Sequence, residues 1–342
     1  MSEQLVCETQ SSVSTRALPL SVAVADYAHT QALFDGRVQL SDIKLNRVEL
    51  PVDDIIKKFL NGAPWAISEM SMGKYVEQTA NGTCDFIALP IFPYRAFRHA
   101  AFYVRSDSTL SHDNLRQLKI GIPGKSVTAV IYARALLTHQ LGVLEENIEW
   151  VVGEINQCTS ALPNEDFGDP LKEKPALTSM LLNGQIDVLI SPHVPHVDST
   201  TIRHLFPEHA RLDYDYWQTT RIFPIMHTMV LRKDVEIANP GTAHKLAEAF
   251  TSARDICLDI LRDPSEMLTP LPFLSLHTEW LNRTFGAEYL PYGVEKNRVT
   301  LNAFLDFCHE QGVSKRRVDL SELFQYLSLI HISEPTRLGM IS

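Results

Sequence analysis

The stretch Ile222-Phe-Pro-Ile-Met-His-Thr-Met-Val-Leu231 decides the architecture. Its second half, Met226 to Leu231, reads as a short apolar strand. It arrives late, after two separate strand-rich series, and mostly helical patterns follow it. A strand in that position is a return. The chain leaves a first lobe, builds a second, and comes back to complete the first.

Working outward from it, the first series places strands at Leu20–Ala25, Lys44–Leu50, Trp65–Met70, Phe86–Pro90 and Ala101–Arg105. Helical signals separate them. The clearest is Pro51-Val-Asp-Asp, with Pro and acids in the first turn and Gly62 as terminator. The second series places strands at Lys119–Ile122, Ile148–Val152 and Asp187–Ile190, with helices from Thr128 to Leu141 and from Leu177 to Gly184. Asn156 to Lys174 reads as a long polar surface loop. After the return strand come helices at Thr242–Leu261, Leu276–Phe285 and Val299–Gln311. Alternation of this kind implies parallel pairing with right-handed crossovers. The expectation is an α/β protein of two lobes, with a ligand cleft between them at the carboxyl ends of strands. Residues 18–105 plus 228–326 form one lobe and 106–227 the other, with crossings near Arg105–Ser108 and Ile222–His227. Residues 1–17 read as a disordered leader. Residues 327–342 continue no earlier pattern and read as a non-native tail.

Composition narrows the function classes. The chain has 342 residues and a net charge of −10, which disfavours nucleic acid as a partner. No apolar run reaches the roughly 20 residues that span a bilayer, so no membrane association is expected. The polar N-terminus lacks the features of a secretory signal. Five widely spaced cysteines without a CxxC pair suit reduced thiols in a soluble, cytoplasmic protein. The helical last third could supply a homo-oligomer interface.

Against an acidic background, Ile91-Phe-Pro-Tyr-Arg-Ala-Phe-Arg-His99 concentrates positive charge among aromatics. Arg95 and Arg98 suit a carboxylate and Phe92 a flat ring. Structural pairing of the arginines with nearby acids is the plainer reading of the same pattern. His227, in an uncharged stretch, could be positioned for proton transfer or be a satisfied core histidine. Glu69, in Ile67-Ser-Glu-Met-Ser71, could be an acid or base, a metal ligand or a helix cap. Gly124-Lys-Ser-Val-Thr128 lacks the Walker spacing and reads as a helix N-terminus, with Thr128 or Ser126 as cap. Ser191 to His196, with histidines at 193 and 196, follows a strand, but Pro192 and Pro195 forbid a helix there. No GxSxG, HExxH or GxGxxG motif occurs.

Several blocks together resemble the 4,5-dihydroxyphthalate decarboxylase family: Leu18-Pro-Leu-Ser-Val-Ala-Val-Ala-Asp-Tyr27, Ser68-Glu-Met-Ser71, Phe86-Ile-Ala-Leu-Pro-Ile-Phe-Pro93 with Phe97-Arg-His99, Ile222-Phe-Pro-Ile-Met-His227 and Tyr292-Gly-Val-Glu-Lys-Asn-Arg298. The resemblance runs from about Leu18 to Phe324. It implies a type II periplasmic-binding-protein-like fold, mixed sheets flanked by helices, and loss of CO2 from an aromatic dicarboxylate to give 3,4-dihydroxybenzoate. On that reading Arg98, helped by Arg95, holds the retained carboxylate, and His227 or His99 donates the proton. Glu69 or Asp26 partners the phenol or the histidine, and Tyr27 and Phe92 sandwich the ring. Ser68, Thr128 and Ser191 complete the expected substrate-binding set. No cofactor is certain; a divalent metal on His99, His227 and Glu69 is the alternative. A non-catalytic binding protein for an aromatic carboxylate is the other class considered.

Overall fold

The structure, a computed structural model, describes residues 17–156, 175–266 and 269–325. The expected leader, except Arg16's neighbour Ala17, the tail, and nearly all of the Asn156–Lys174 loop lie outside the described residues.

The first pass runs β1 (Leu18–Ala23), a 3-10 turn at Ala28–Leu33, β2 (Ile43–Val48), α1 (Val52–Leu60), β3 (Ile67–Ser71), α2 (Met72–Asn81) and β4 (Phe86–Leu89). Then come β5 (Phe102–Arg105), β6 (Leu118–Ile122), α3 (Thr128–Ala135), β7 (Ile148–Val152), α4 (Leu177–Leu182), β8 (Val188–Ile190), β9 (Ile202–His204) and α5 (His209–Thr220). The return strand β10 (His227–Arg232) precedes α6 (Lys233–Ala238), α7 (Thr242–Arg262), α8 (Leu274–Phe285), α9 (Arg298–Glu310) and α10 (Leu320–Leu323).

Local chemistry explains the boundaries. In α1, Asp53 and Asp54 sit in the first turn and Lys57 and Lys58 in the last, each complementing the helix dipole. Ile55 and Phe59 bury one face. Gly62, just past the end, takes φ +86°, a conformation that glycine adopts at no steric cost. The 21-residue α7 buries Leu246, Phe250, Ala253 and Leu258 along one stripe.

Two five-stranded sheets result, ordered β2-β1-β3-β10-β4 and β7-β6-β8-β5-β9. β1 runs parallel to β2 and β3, but β10 is antiparallel to both neighbours. β5 is likewise antiparallel to β8 and β9. The sheets are therefore mixed, because each receives one strand entering from the other lobe's side. One expectation changes. Phe102–Arg105 pairs in the second sheet, so the first crossing lies between Leu89 and Phe102, not at Arg105–Ser108. The segment Pro90–Ala101 is thus a crossover and not the tail end of the first lobe. It meets the second crossover directly: Arg95 bridges Ile225, Met226 N–H donates to Tyr94 O at 2.9 Å, and Ala96 N–H donates to Pro224 O at 3.2 Å.

The lobes also touch where α2 and α3 begin. Thr128 Oγ1 lies 2.9 Å from Ser71 Oγ and accepts the Gly73 N–H at 2.9 Å. Thr128 is buried in this junction, so it ties the lobes together instead of lining the ligand space. A Cβ on Gly73 would stand 2.2 Å from Ser126 O and 2.9 Å from Ile131 Cδ1. The backbone oxygen cannot yield as a flexible side chain would. Gly73→Ala is expected to destabilise by about 1–3 kcal/mol through overpacking, read as a lowered urea midpoint with an unchanged slope; an unaltered midpoint would show that the junction yields without strain.

Candidate active site

β3 and β10 pair so that Glu69 faces Met229 and Ser71 faces His227. Successive strand residues point to opposite faces. Glu69 and Ser71 therefore share a face, and His227 shares it with them as a diagonal neighbour of Glu69, within reach of long side chains. The side chains meet: His227 Nδ1 lies 2.6 Å from Glu69 Oε1. Just beyond β1, Tyr27 donates its hydroxyl to the same oxygen at 2.7 Å, and the Ala25 N–H reaches Oε2 at 3.0 Å. Glu69 is fully buried. A carboxylate there is costly unless its oxygens are hydrogen-bonded, and three donors supply this. With Nδ1 committed to Glu69, Nε2 is the His227 nitrogen left for a ligand.

Aromatic groups crowd the pair. The Tyr94 ring lies 5.2 Å from His227 and 6.3 Å from Tyr27, which stacks on His29 at 5.3 Å. Burial pushes the His29 pKa down to about 4, against an opposing pull from Glu69. Burial and the neighbouring Glu69 hold the Tyr27 hydroxyl far above its ordinary value, so it stays a donor.

Arg98 is the cation of this cluster. It is buried, lies 5.7 Å over the Tyr94 ring, and points Nε at Met226 Sδ at 3.1 Å, beside His227. Its Nη1 reaches the Pro192 carbonyl only at 3.4 Å, and the Tyr94 hydroxyl and the Asp213 charge also act on it. No carboxylate pairs with it among the described residues, and burial lowers its pKa from the ordinary guanidinium value. The Pro192 turn carries His193, whose Nε2 lies 3.2 Å from Asp53 Oδ2 on α1. That pair spans the two lobes. Asp53 raises the His193 pKa, and His193 lowers that of Asp53.

Several sequence candidates fall elsewhere. His99 is committed at both nitrogens, Nδ1 to Asp213 at 2.6 Å and Nε2 to Gln140 at 2.8 Å. It is a buried structural histidine, neither proton donor nor metal ligand. Arg95 gives its Nη groups to the carbonyls of Phe223 and Pro291 and to Asn297 Oδ1. It fastens the crossovers to the C-terminal helices, and burial brings its pKa down to about 10. Phe92 is core, edge-on to Phe324. Asp26 is exposed and paired with Arg47 at 2.8 Å, so it is not the partner of a histidine. Ser68 is buried on the opposite face of β3 from Glu69. Ser191 donates to His193 O at 2.5 Å and shapes that turn. A His99–His227–Glu69 metal set does not form, and no cluster of three His, Cys, Asp or Glu donors occurs among the described residues. The residues that sequence reasoning missed are Tyr94, His29 and Asp53, together with His193, whose pairing with an acid its spacing does not disclose. Tyr94 was within the charged segment, and strand-like alternation there separates it from Arg95 and Phe97.

The comparisons with known proteins bear on this cluster. No family model matches the chain. The 4,5-dihydroxyphthalate decarboxylase of Comamonas testosteroni is 31% identical over 322 residues, covering 91% of this chain and 98% of that protein. The chain belongs to the 4,5-dihydroxyphthalate decarboxylase family. A second member, from Pseudomonas putida, is 31% identical over 185 residues, covering 52% of this chain and 72% of that protein. Among solved structures, the periplasmic aliphatic sulphonate binding protein SsuA from Escherichia coli aligns with TM-score 0.51 at 14% identity, over 89% of this chain and 91% of that one. The decarboxylase family member described here thus has a periplasmic-binding-protein-like fold. No helix among the described residues is long and apolar enough to cross a membrane.

The depressed His29 pKa sets a pH dependence. The folded protein keeps His29 neutral down to about pH 4, whereas the unfolded chain takes up a proton below its ordinary value of 6.5. The stabilisation is full above pH 6.5 and is lost as pH falls from 6.5 towards 4. Urea unfolding at pH 7.5 and 4.5 should show wild type losing on the order of 2 kcal/mol more than His29→Asn; parallel losses would place the His29 ring in contact with solvent.

Proposed function

We propose that this protein removes CO2 from 4,5-dihydroxyphthalate, giving 3,4-dihydroxybenzoate. What carries the reading to particular residues is a buried, carboxylate-oriented His227 beside Arg98, a buried cation that forms no salt bridge among the described residues. The reaction replaces one carboxylate by a proton at the same ring carbon. That carbon lies para to a hydroxyl, whose electrons stabilise positive charge on the ring once the carbon is protonated.

Arg98 holds the carboxylate that is retained, through charge-assisted hydrogen bonds. The Tyr94 face packs against the ring. Glu69 fixes His227 in the tautomer with the proton on Nδ1 before protonation, so Nε2 is the atom that carries the transferable proton. His227 delivers that proton to the ring carbon, the C–C bond breaks, and its electron pair returns to the ring as CO2 leaves. A proton from solvent restores His227. Tyr27 and the Ala25 amide hold Glu69 in place throughout. The Asp53–His193 pair across the lobes favours a closed cleft, in which charge interactions are stronger for want of water.

The partner that this chemistry requires is a small aromatic dicarboxylate. Cys84, Cys257 and Cys308 are free, which supports a cytoplasmic location, and the C-terminal helices offer surface for a homo-oligomer.

Purified protein incubated with 4,5-dihydroxyphthalate should release CO2 and the catechol product. His227→Ala and Arg98→Ala should each lower turnover by about 100-fold or more, in protein whose circular dichroism shows that it remains folded. Tight binding without turnover by the wild type would overturn decarboxylation; near-normal turnover in a variant would overturn that residue's role.

A further inference from the structure

A separate cavity of about 380 Å³ shares no lining residue with the Glu69–His227 cluster. Its walls are aromatic: Phe97, Tyr214, Trp217, Phe223, Trp280 and Phe285 all line it. They come from both crossovers, from α5 and from α8. Along the first crossover, alternation sends Tyr94 to one side and Arg95 and Phe97 to the other. Phe97 stacks on Phe223 at 5.0 Å, and Phe223 packs at a tilt against Phe285 at 5.3 Å.

Arg95 lies in the wall of this cavity. No carboxylate pairs with it among the described residues: its Nη groups meet the neutral oxygens of Phe223, Pro291 and Asn297, and its guanidinium lies over the Phe92 and Phe223 rings. Arg254 adds like charge nearby. The Arg95 Nε is buried and has no hydrogen-bond partner. Asp213 lines the cavity too, but its carboxylate is bonded to His99. A buried guanidinium without an acid is stabilised by an incoming anion, and flat apolar walls suit a ring. The volume falls in the range of small-molecule sites.

We propose that this cavity is a second binding site, taking a small aromatic monocarboxylate with its carboxylate towards Arg95. The occupant touches α5 of one lobe and α8 beyond the return strand. Its binding is therefore linked to how the lobes sit, and reciprocally to occupancy of the cleft. This site stands on residues that the decarboxylation reading does not use.

The test uses 2-naphthoate and its neutral analogue 2-naphthol, with the full-length protein, by isothermal titration calorimetry. Ala210 lines the cavity and is exposed, so Ala210→Trp fills the space from its rim; Leu281→Trp does so from the α8 wall. One equivalent of 2-naphthoate should bind wild type and Arg98→Ala alike. Affinity should fall about tenfold or more in both cavity-filling variants, and be about tenfold weaker for 2-naphthol. Turnover by Ala210→Trp should match wild type without naphthoate, while saturating naphthoate should shift the KM of wild type alone. Binding lost in Arg98→Ala and kept in Ala210→Trp would place the ligand in the cleft and overturn the proposal. Equal binding of 2-naphthol would overturn the role of Arg95. A naphthoate signal that tracks protein self-association in sedimentation would make the cavity a contact between copies and overturn it as well. Failure to decarboxylate leaves every one of these binding outcomes readable.

Discussion

The antiparallel pairing of β10 with β3 is the constraint on which the rest depends. It closes the first sheet, so it completes the first lobe's core. It also fixes the register that brings Glu69 and His227 onto one face. A slip of one residue would turn His227 into the core and Glu69's partner away from it. The same pairing therefore completes the core and builds the candidate site, from segments that the whole second lobe separates in sequence.

Burial then gives the pair its character. Glu69 is held by Tyr27, Ala25 and His227, so its orientation is determined before any ligand arrives. Arg98 is the converse case: a buried cation without a salt bridge, set among a thioether, the Tyr94 side chain and a distant carbonyl, with Asp213 acting on it by charge alone. One group is saturated and rigid; the other is under-satisfied and receptive. A preorganised site needs both kinds, because a saturated group positions and an unsatisfied group binds. Arg95 shows how much the crossover geometry matters. Only three residues earlier, the alternation of an extended segment sends it towards the C-terminal helices, where the carbonyls of Phe223 and Pro291 take its Nη groups and its Nε is left without a partner.

The periplasmic-binding-protein-like fold supplies the setting: two sheets, two crossovers, and strand ends that converge between them. Likeness to SsuA concerns that setting alone, since binding proteins and enzymes share it. The chemistry lives in side chains that the fold merely presents. Membership of the decarboxylase family rests on aligned sequence, and the Glu69–His227–Arg98 arrangement is one to which the proposed reaction can be assigned.

Sequence by itself determined the alternation of strands and helices, the late return at Met226–Leu231, the two lobes and the family. Those depend on local periodicity and on blocks of residues in order, which a linear string preserves. It also singled out Glu69, Tyr27, Arg98 and His227 as candidates, without saying which touch. Tertiary structure alone decided that β5 belongs to the second sheet, that His99 is saturated by Asp213 and Gln140, that Asp26 turns out to Arg47, and that Tyr94 and not Phe92 flanks the histidine. The reason is physical: whether a polar group is free or satisfied depends on partners tens to hundreds of residues away. Glu69 and His227 are separated by 158 positions, and only the sheet register makes them neighbours.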